Sequence, residues 1–202
     1  MFQQIIVITI IVSMIWYTVF YILSVRPAQL EKKIGESSYK RCAILRKISF
    51  IGIGLCMISE VLYFFFPLEM GFKLRIIDSL AGWIICISIG IILGVLATLI
   101  IKEVSKVALD SFVPKKENEM FRGIYERIRH PQAIADVIYW FTFAFVFNSS
   151  FLLIIAIIWI PLNYLIVLFE EQDLKVRYGL SYLDYMKRTG RFIPKQGKKK
   201  MN

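Results

Sequence analysis

The sequence predicts an all-α integral membrane protein with five transmembrane helices and a polar C-terminal region. Three observations carry that prediction. The chain of 202 residues is 57% hydrophobic with a mean hydropathy of +0.63, more than a water-soluble domain of this size tolerates. Its apolar residues gather into five runs, roughly 3–25, 48–68, 79–101, 132–147 and 151–169, at or near the length that a hydrocarbon core of about 30 Å asks of a helix rising about 1.5 Å per residue. Lys and Arg crowd alternate connections between those runs, as they do when one side of a membrane is cytoplasmic.

The first and third runs contain no Asp, Glu, Lys or Arg, so they read directly as spans. No basic leader precedes the first run and no small-residue cleavage site follows near Val25-Arg26-Pro27; the sequence therefore predicts a retained helix rather than a cleaved signal. The second run contains Glu60, about 18 Å from the start of the run by helical rise. A carboxylate at such a depth faces protein, water or a polar partner, or stays protonated. Glu60 reads either as a functional group or as a buried helix contact, outside the candidate site. In the third run Gly90 and Gly94 form a small-xxx-small pair that permits close helix approach, within this chain rather than between copies. The fourth run contains Asp136 and the fifth Pro161, which a membrane helix accommodates. Only Asn148-Ser149-Ser150 separates these last two runs, so they form an antiparallel hairpin.

The 26–47 connection carries seven Lys or Arg, the 102–131 connection seven, and the chain after residue 169 nine, whereas the opposite side offers only Lys73 and Arg75. That asymmetry predicts an outside N-terminus and a cytoplasmic C-terminus. It also assigns the net charge of +10 to membrane-edge loops, against a nucleic-acid partner. Cys42, Cys56 and Cys86 have no metal-ligand spacing and read as packing residues; no metal site is expected. The 102–122 segment is expected to lie partly helical along the membrane surface. Beyond Glu171, Leu174, Tyr178, Tyr182, Tyr185 and Met186 recur at helical spacing, with Ser181 and Asp184 as a start signal and Gly190 and Pro194 as a stop. This predicts a cytoplasmic pair of short amphipathic helices with their aromatic faces packed on the membrane domain. Lys198-Lys199-Lys200 reads as an anionic-lipid anchor or a solvated tail.

Two charge-rich segments flank the hairpin. GIYERIRHP (123–131) precedes it and FEEQDLKVRYGLSYLDYMKRTGRFIP (169–194) follows it. Because the legs are antiparallel, His130 and Glu170 must meet at one membrane face. Taken singly, Arg129 and His130 suit a positive-inside helix start and the double Glu suits helix-end ion pairs; together around one hairpin they read as a binding site.

The two segments resemble the C-terminal signature of isoprenylcysteine carboxyl methyltransferases and the related phospholipid N-methyltransferases. Gly123, Tyr125, Arg129, His130 and Pro131 match its first half, and Glu170, Glu171, Leu174, Gly179, Tyr182 and Tyr185 its second. Ala133 stands where the family usually has Tyr, and Glu117 where a His is often found. The resemblance implies a single membrane methyltransferase domain over 1–202, with 1–101 a three-helix scaffold and 102–202 the catalytic region around hairpin 132–169. It implies S-adenosylmethionine as methyl donor, held by Tyr125, His130, Pro131, Glu170 and Glu171, and a lipophilic acceptor taken from the bilayer among membrane lipids. A prenylated cysteine carboxylate is the first expectation; its charge needs a cation to orient it, for which Arg129 and Arg188 are candidates. An amine acceptor needs a proton acceptor instead, for which Asp136 is the candidate. Rival expectations are a membrane reductase using a nicotinamide cofactor and a non-catalytic membrane protein in which Glu60 and Asp136 line a polar path.

Overall fold

The computed structural model describes residues 1–107 and 122–195. Seven α-helices make up the described fold: α1 (Phe2–Ser24), α2 (Pro27–Ile34), α3 (Ser37–Phe65), α4 (Leu80–Ser105), α5 (Pro131–Val146), α6 (Ser150–Tyr178) and α7 (Leu180–Arg188). Residues 108–121 of the expected surface segment 102–122, and the Lys198–Lys200 run, lie outside the described residues; the start of that segment continues α4 to Ser105.

Four helices, α1, α3, α4 and α6, are long and apolar enough to cross a membrane by themselves. α5 has 16 residues and rises about 24 Å, short of a full hydrocarbon core. Its far end is closed by other parts of the chain. Asn148, at φ 46°, accepts through its side chain from Ile77 N (3.1 Å) and donates to Ile77 O (2.9 Å), and Arg75 Nη1 donates to Phe147 O (3.2 Å). The 66–79 connection therefore caps the hairpin turn, and Ser149 starts α6 by accepting from Leu152 N. The chain is a multi-pass, all-α membrane protein.

Tertiary packing explains several sequence features. α1 packs along α3 and α4 along α5. Gly90 is where α4 and α5 close up: a Cβ there would lie 2.6 Å from Val146 Cγ2 and 2.9 Å from Val146 N. The small-residue pair is thus used within the chain. Cys42, Cys56 and Cys86 are buried free thiols, as packing residues would be. An aromatic row crosses the centre, with Tyr17 and Trp159 rings 5.4 Å apart and Trp159 stacked on Trp140 at 4.9 Å.

Three expectations are corrected. The 26–47 segment is not a loop: Pro27 opens α2 at a first-turn position where its missing N–H costs nothing, and α3 begins at Ser37, well before the apolar run. The tail is not a pair of short helices after Glu171. α6 continues unbroken from the apolar region to Tyr178 because residues 169–178 contain no breaker, so Glu170 and Glu171 sit mid-helix rather than at a helix end. The break comes at Gly179, at φ 55°, where a side chain would be strained. Gly179, not Ser181, is then the residue from which α7 starts, and no side chain caps it.

Candidate functional site

The two halves of the motif meet as the hairpin required. Residues 128–130 and 190–191 pair backbone to backbone: Arg129 N donates to Gly190 O (2.8 Å) and His130 N to Arg191 O (3.1 Å). Gly190 is needed at this crossing, since a Cβ there would strike Ile193 O. Tyr125 is buried; its carbonyl accepts from Tyr185 Oη (2.7 Å) and its hydroxyl donates to Gln132 Oε1 (3.1 Å). Pro131 is the first residue of α5, directly after His130. Tyr125 and Pro131 thus sit beside the junction of the two motif halves and do not line the cavity beside Glu170.

Glu171 is the hub of the junction. It is 2% exposed and accepts from Arg129 Nε (3.0 Å) and Nη2 (2.7 Å), from His130 Nε2 (3.3 Å), and from Arg191 Nε (3.1 Å) and Nη2 (2.6 Å). Arg129, 7% exposed, also donates to the carbonyls of Met186 and Thr189. Each of its three guanidinium nitrogens is engaged in holding α7 and the 189–191 segment against α6. Arg188 is exposed at the end of α7 and is not brought to this cluster. The cation that does arrive is Arg191, which the sequence reading missed. It lies past the helix stop, and only the 128–190 backbone pairing turns it inward.

His130, 2% exposed, sits between the two carboxylates. Its Nδ1 lies 3.4 Å from Glu170 Oε2 and its Nε2 3.3 Å from Glu171 Oε1, an arrangement in which only the imidazolium donates at both nitrogens. Burial alone pulls the His130 pKa down, but the hydrogen bonds and charges of Glu170 and Glu171 outweigh it and raise the value above 6.5. Because the folded pKa is raised, His130 contributes stability that is fully present below 6.5 and is lost as pH rises through the higher folded value. Thermal melts across the neutral-to-alkaline range should show this loss, and His130→Gln should flatten it; an unchanged slope in that variant would rule out the imidazolium bridge.

Glu170 has a different outlook. It points to a cavity of about 250 Å³ whose walls include Tyr17, Tyr21, Phe50, Gln132, Asp136 and Glu170. The helices expected to be scaffold, α1, α3 and α4, therefore form part of its lining. Asp136 Oδ2 accepts from Trp159 Nε1 and Asn163 Nδ2, both at 2.8 Å. Its Oδ1 has no hydrogen bond among the described residues, and no Lys or Arg lines the cavity among those residues. Ala133, in place of the larger residue that the motif favours, lies on the wall shared with an apolar cavity of about 390 Å³ that also touches Pro161, Tyr164 and Phe192. Glu117, the other departure, lies outside the described residues.

Comparison with known proteins adds one match. The family model described as phospholipid methyltransferase matches residues 79–181, a span that includes α4, α5 and α6, the first half of the motif and its second half as far as Gly179. No curated protein and no solved structure matches the chain. The matched span is just over half of the 202 residues and contains His130, Asp136, Glu170 and Glu171, so the chain belongs to the phospholipid methyltransferase family and is a multi-pass membrane methyltransferase.

Proposed function

We propose that the protein uses S-adenosylmethionine to methylate the amine of an amphiphile drawn from the bilayer. The observation that supports this most is the charge of the cavity wall. Glu170 and Asp136 line it, and no Lys or Arg among the described residues does. A carboxylate acceptor needs a cation there, yet Arg129 is committed to Glu171 and two backbone carbonyls, and Arg188 is exposed elsewhere. An ammonium is attracted to the same wall.

The cavity suits the cofactor by the chemistry of its donors. Glu170 offers acceptors for hydroxyl or ammonium groups while His130 fixes its position, and the rings of Tyr17, Tyr21 and Phe50 suit an adenine or a cationic sulfur. When bound, S-adenosylmethionine supplies a methyl group made electrophilic by its sulfonium. The chain's own contribution is alignment, desolvation and removal of a proton. An amine arrives protonated and cannot attack until it loses that proton. Asp136 Oδ1 has no hydrogen bond among the described residues and can accept it, while Trp159 and Asn163 hold the other oxygen in place. The Lys and Arg asymmetry supports a cytoplasmic position for the Glu170 end, where a water-soluble cofactor has access.

One observation favours the carboxylate reading instead. Arg191, with a side chain 28% exposed, donates to Tyr164 Oη (2.7 Å) beside the apolar cavity lined by Phe192 and Tyr164, which would suit a prenyl chain with an anionic end. Radiolabelled methyl transfer in membranes separates the two: base-stable N-methyl product supports the amine reading, and base-labile ester supports the carboxylate. Glu170→Gln should weaken S-adenosylmethionine binding about ten- to a hundredfold, the worth of one charge-assisted hydrogen bond, without loss of the folded protein. Unchanged affinity by calorimetry would remove Glu170 from the cofactor site.

A further inference from the structure

A third cavity, of about 300 Å³, lies between α3 and α5 and shares Asp136 with the first. Glu60 and Met57 line it from α3, and Asp136, Tyr139, Trp140 and Phe143 from α5. Residues 136, 139, 140 and 143 follow one face of α5 at helical spacing. Asp136 and Tyr139 also line the first cavity, so one carboxylate is common to both chambers.

Glu60 makes this chamber unusual. It is 3% exposed, and its carboxylate has no hydrogen-bond or ion-pair partner among the described residues, although it lines the cavity. A carboxylate inside a bilayer-spanning helix is costly to keep unpaired; a ligand that brings the missing partner offsets that cost. Of the residues named here only Met57 is exposed, at 44%, next to the apolar outer face formed by Ile58 and Val61. The chamber is thus reached from the lipid side. Its lining combines two carboxylates with three aromatic rings, a combination that favours an ammonium over a neutral or anionic group.

We infer that the Glu60–Asp136 chamber is a binding subsite for the ammonium end of an amphiphile that enters from the bilayer between α3 and α5. Its role as the acceptor's position rests on the amine reading above; its existence as a cation subsite does not. In that role Glu60 holds the charged headgroup and the shared Asp136 faces the nitrogen from the cofactor side, so Glu60 is a positioning residue that selects acceptors by charge.

The test uses the full chain in nanodiscs of zwitterionic lipid and two photoreactive probes of equal chain length. One is a long-chain alkylamine with a diazirine near the nitrogen, and the other is the corresponding alcohol. Mass spectrometry should place the amine's crosslinks on residues 53–60 and 136–143, with the alcohol spread over the lipid-facing surface. Glu60→Gln should reduce the amine's labelling of those segments about tenfold, the effect of losing one charge-assisted contact. Glu60→Asp, which keeps the charge, should retain the preference and shows that loss in the Gln variant is not misfolding. Equal labelling by amine and alcohol, or labelling unaltered in Glu60→Gln, overturns the subsite. Methyl transfer measured on the same amine keeps the two readings apart. N-methyl product without labelling of the chamber overturns the subsite and leaves the amine reading. Labelling without any N-methyl product overturns the amine reading and leaves the subsite.

Discussion

Replacing Glu171 with Ala should abolish methyl transfer and cost the folded protein about 3–5 kcal/mol, the penalty for stranding one member of a buried ion pair. Five donated hydrogen bonds, from Arg129, His130 and Arg191, end on this one carboxylate. Without it, Arg129 keeps its carbonyl partners but remains a buried cation with no counter-charge. The loss should therefore exceed that of Glu170→Ala, which removes only the contact to His130 at 3.4 Å. Removing both charges in Arg129→Met/Glu171→Leu should cost less than the sum of the single changes, because the buried Arg129 is no longer left without a counter-charge, while Arg191 is partly exposed and keeps Tyr164 Oη and His130 keeps Glu170. Thermal melts of these variants, with Arg129→Met and Glu171→Leu as the single changes, in one detergent measure this directly. Wild-type stability in Glu171→Ala would show that the junction is held by packing alone.

That contrast was not legible in the sequence. Two adjacent glutamates look equivalent in a motif, and both were expected to hold the cofactor. On a helix, however, neighbouring side chains diverge by about 100°. Once α6 continues through residue 170, one glutamate must face the α7 junction and the other the cavity. The continuity itself was hidden because the apolar run ends at Phe169 while the helix does not. By contrast, the approach of His130 to Glu170 was legible, since two antiparallel legs joined by a three-residue turn leave no other outcome.

Other features of the site depended on contacts far apart in sequence. Arg188 and Arg191 differ by three positions, and local pattern favours neither. The parallel pairing of Ile128 with Gly190 selects Arg191, and no periodicity announces a single bridge of that kind. The contribution of α1 left a faint trace. Tyr17 and Tyr21 are spaced by one helical turn in an otherwise apolar run, which places both hydroxyls on one face. That face borders the cavity. Arg46 shows the same difficulty, since it sits over the Tyr21 ring at 5.5 Å from what the sequence presents as a loop.

Asp136→Asn should lower methyl transfer to an amine acceptor by about two to four orders of magnitude, the usual contribution of a positioned proton acceptor, with little change in stability. Asn is the informative replacement because its side-chain oxygen can still accept from Trp159 Nε1 and Asn163 Nδ2, each now at 2.8 Å from Asp136 Oδ2. Geometry is kept while the capacity to take up a proton is lost. S-adenosylmethionine affinity should change much less than turnover, which distinguishes a chemical role from a binding one. Arg188→Lys serves as the opposing measurement, because the carboxylate reading places that guanidinium against the acceptor whereas the structure leaves it exposed. Full activity in Arg188→Lys together with collapse in Asp136→Asn supports proton removal from an amine. The reverse profile, with Asp136→Asn fully active and Arg188→Lys impaired, would restore the carboxylate acceptor and require the 187–191 segment to turn toward the cavity when the acceptor binds.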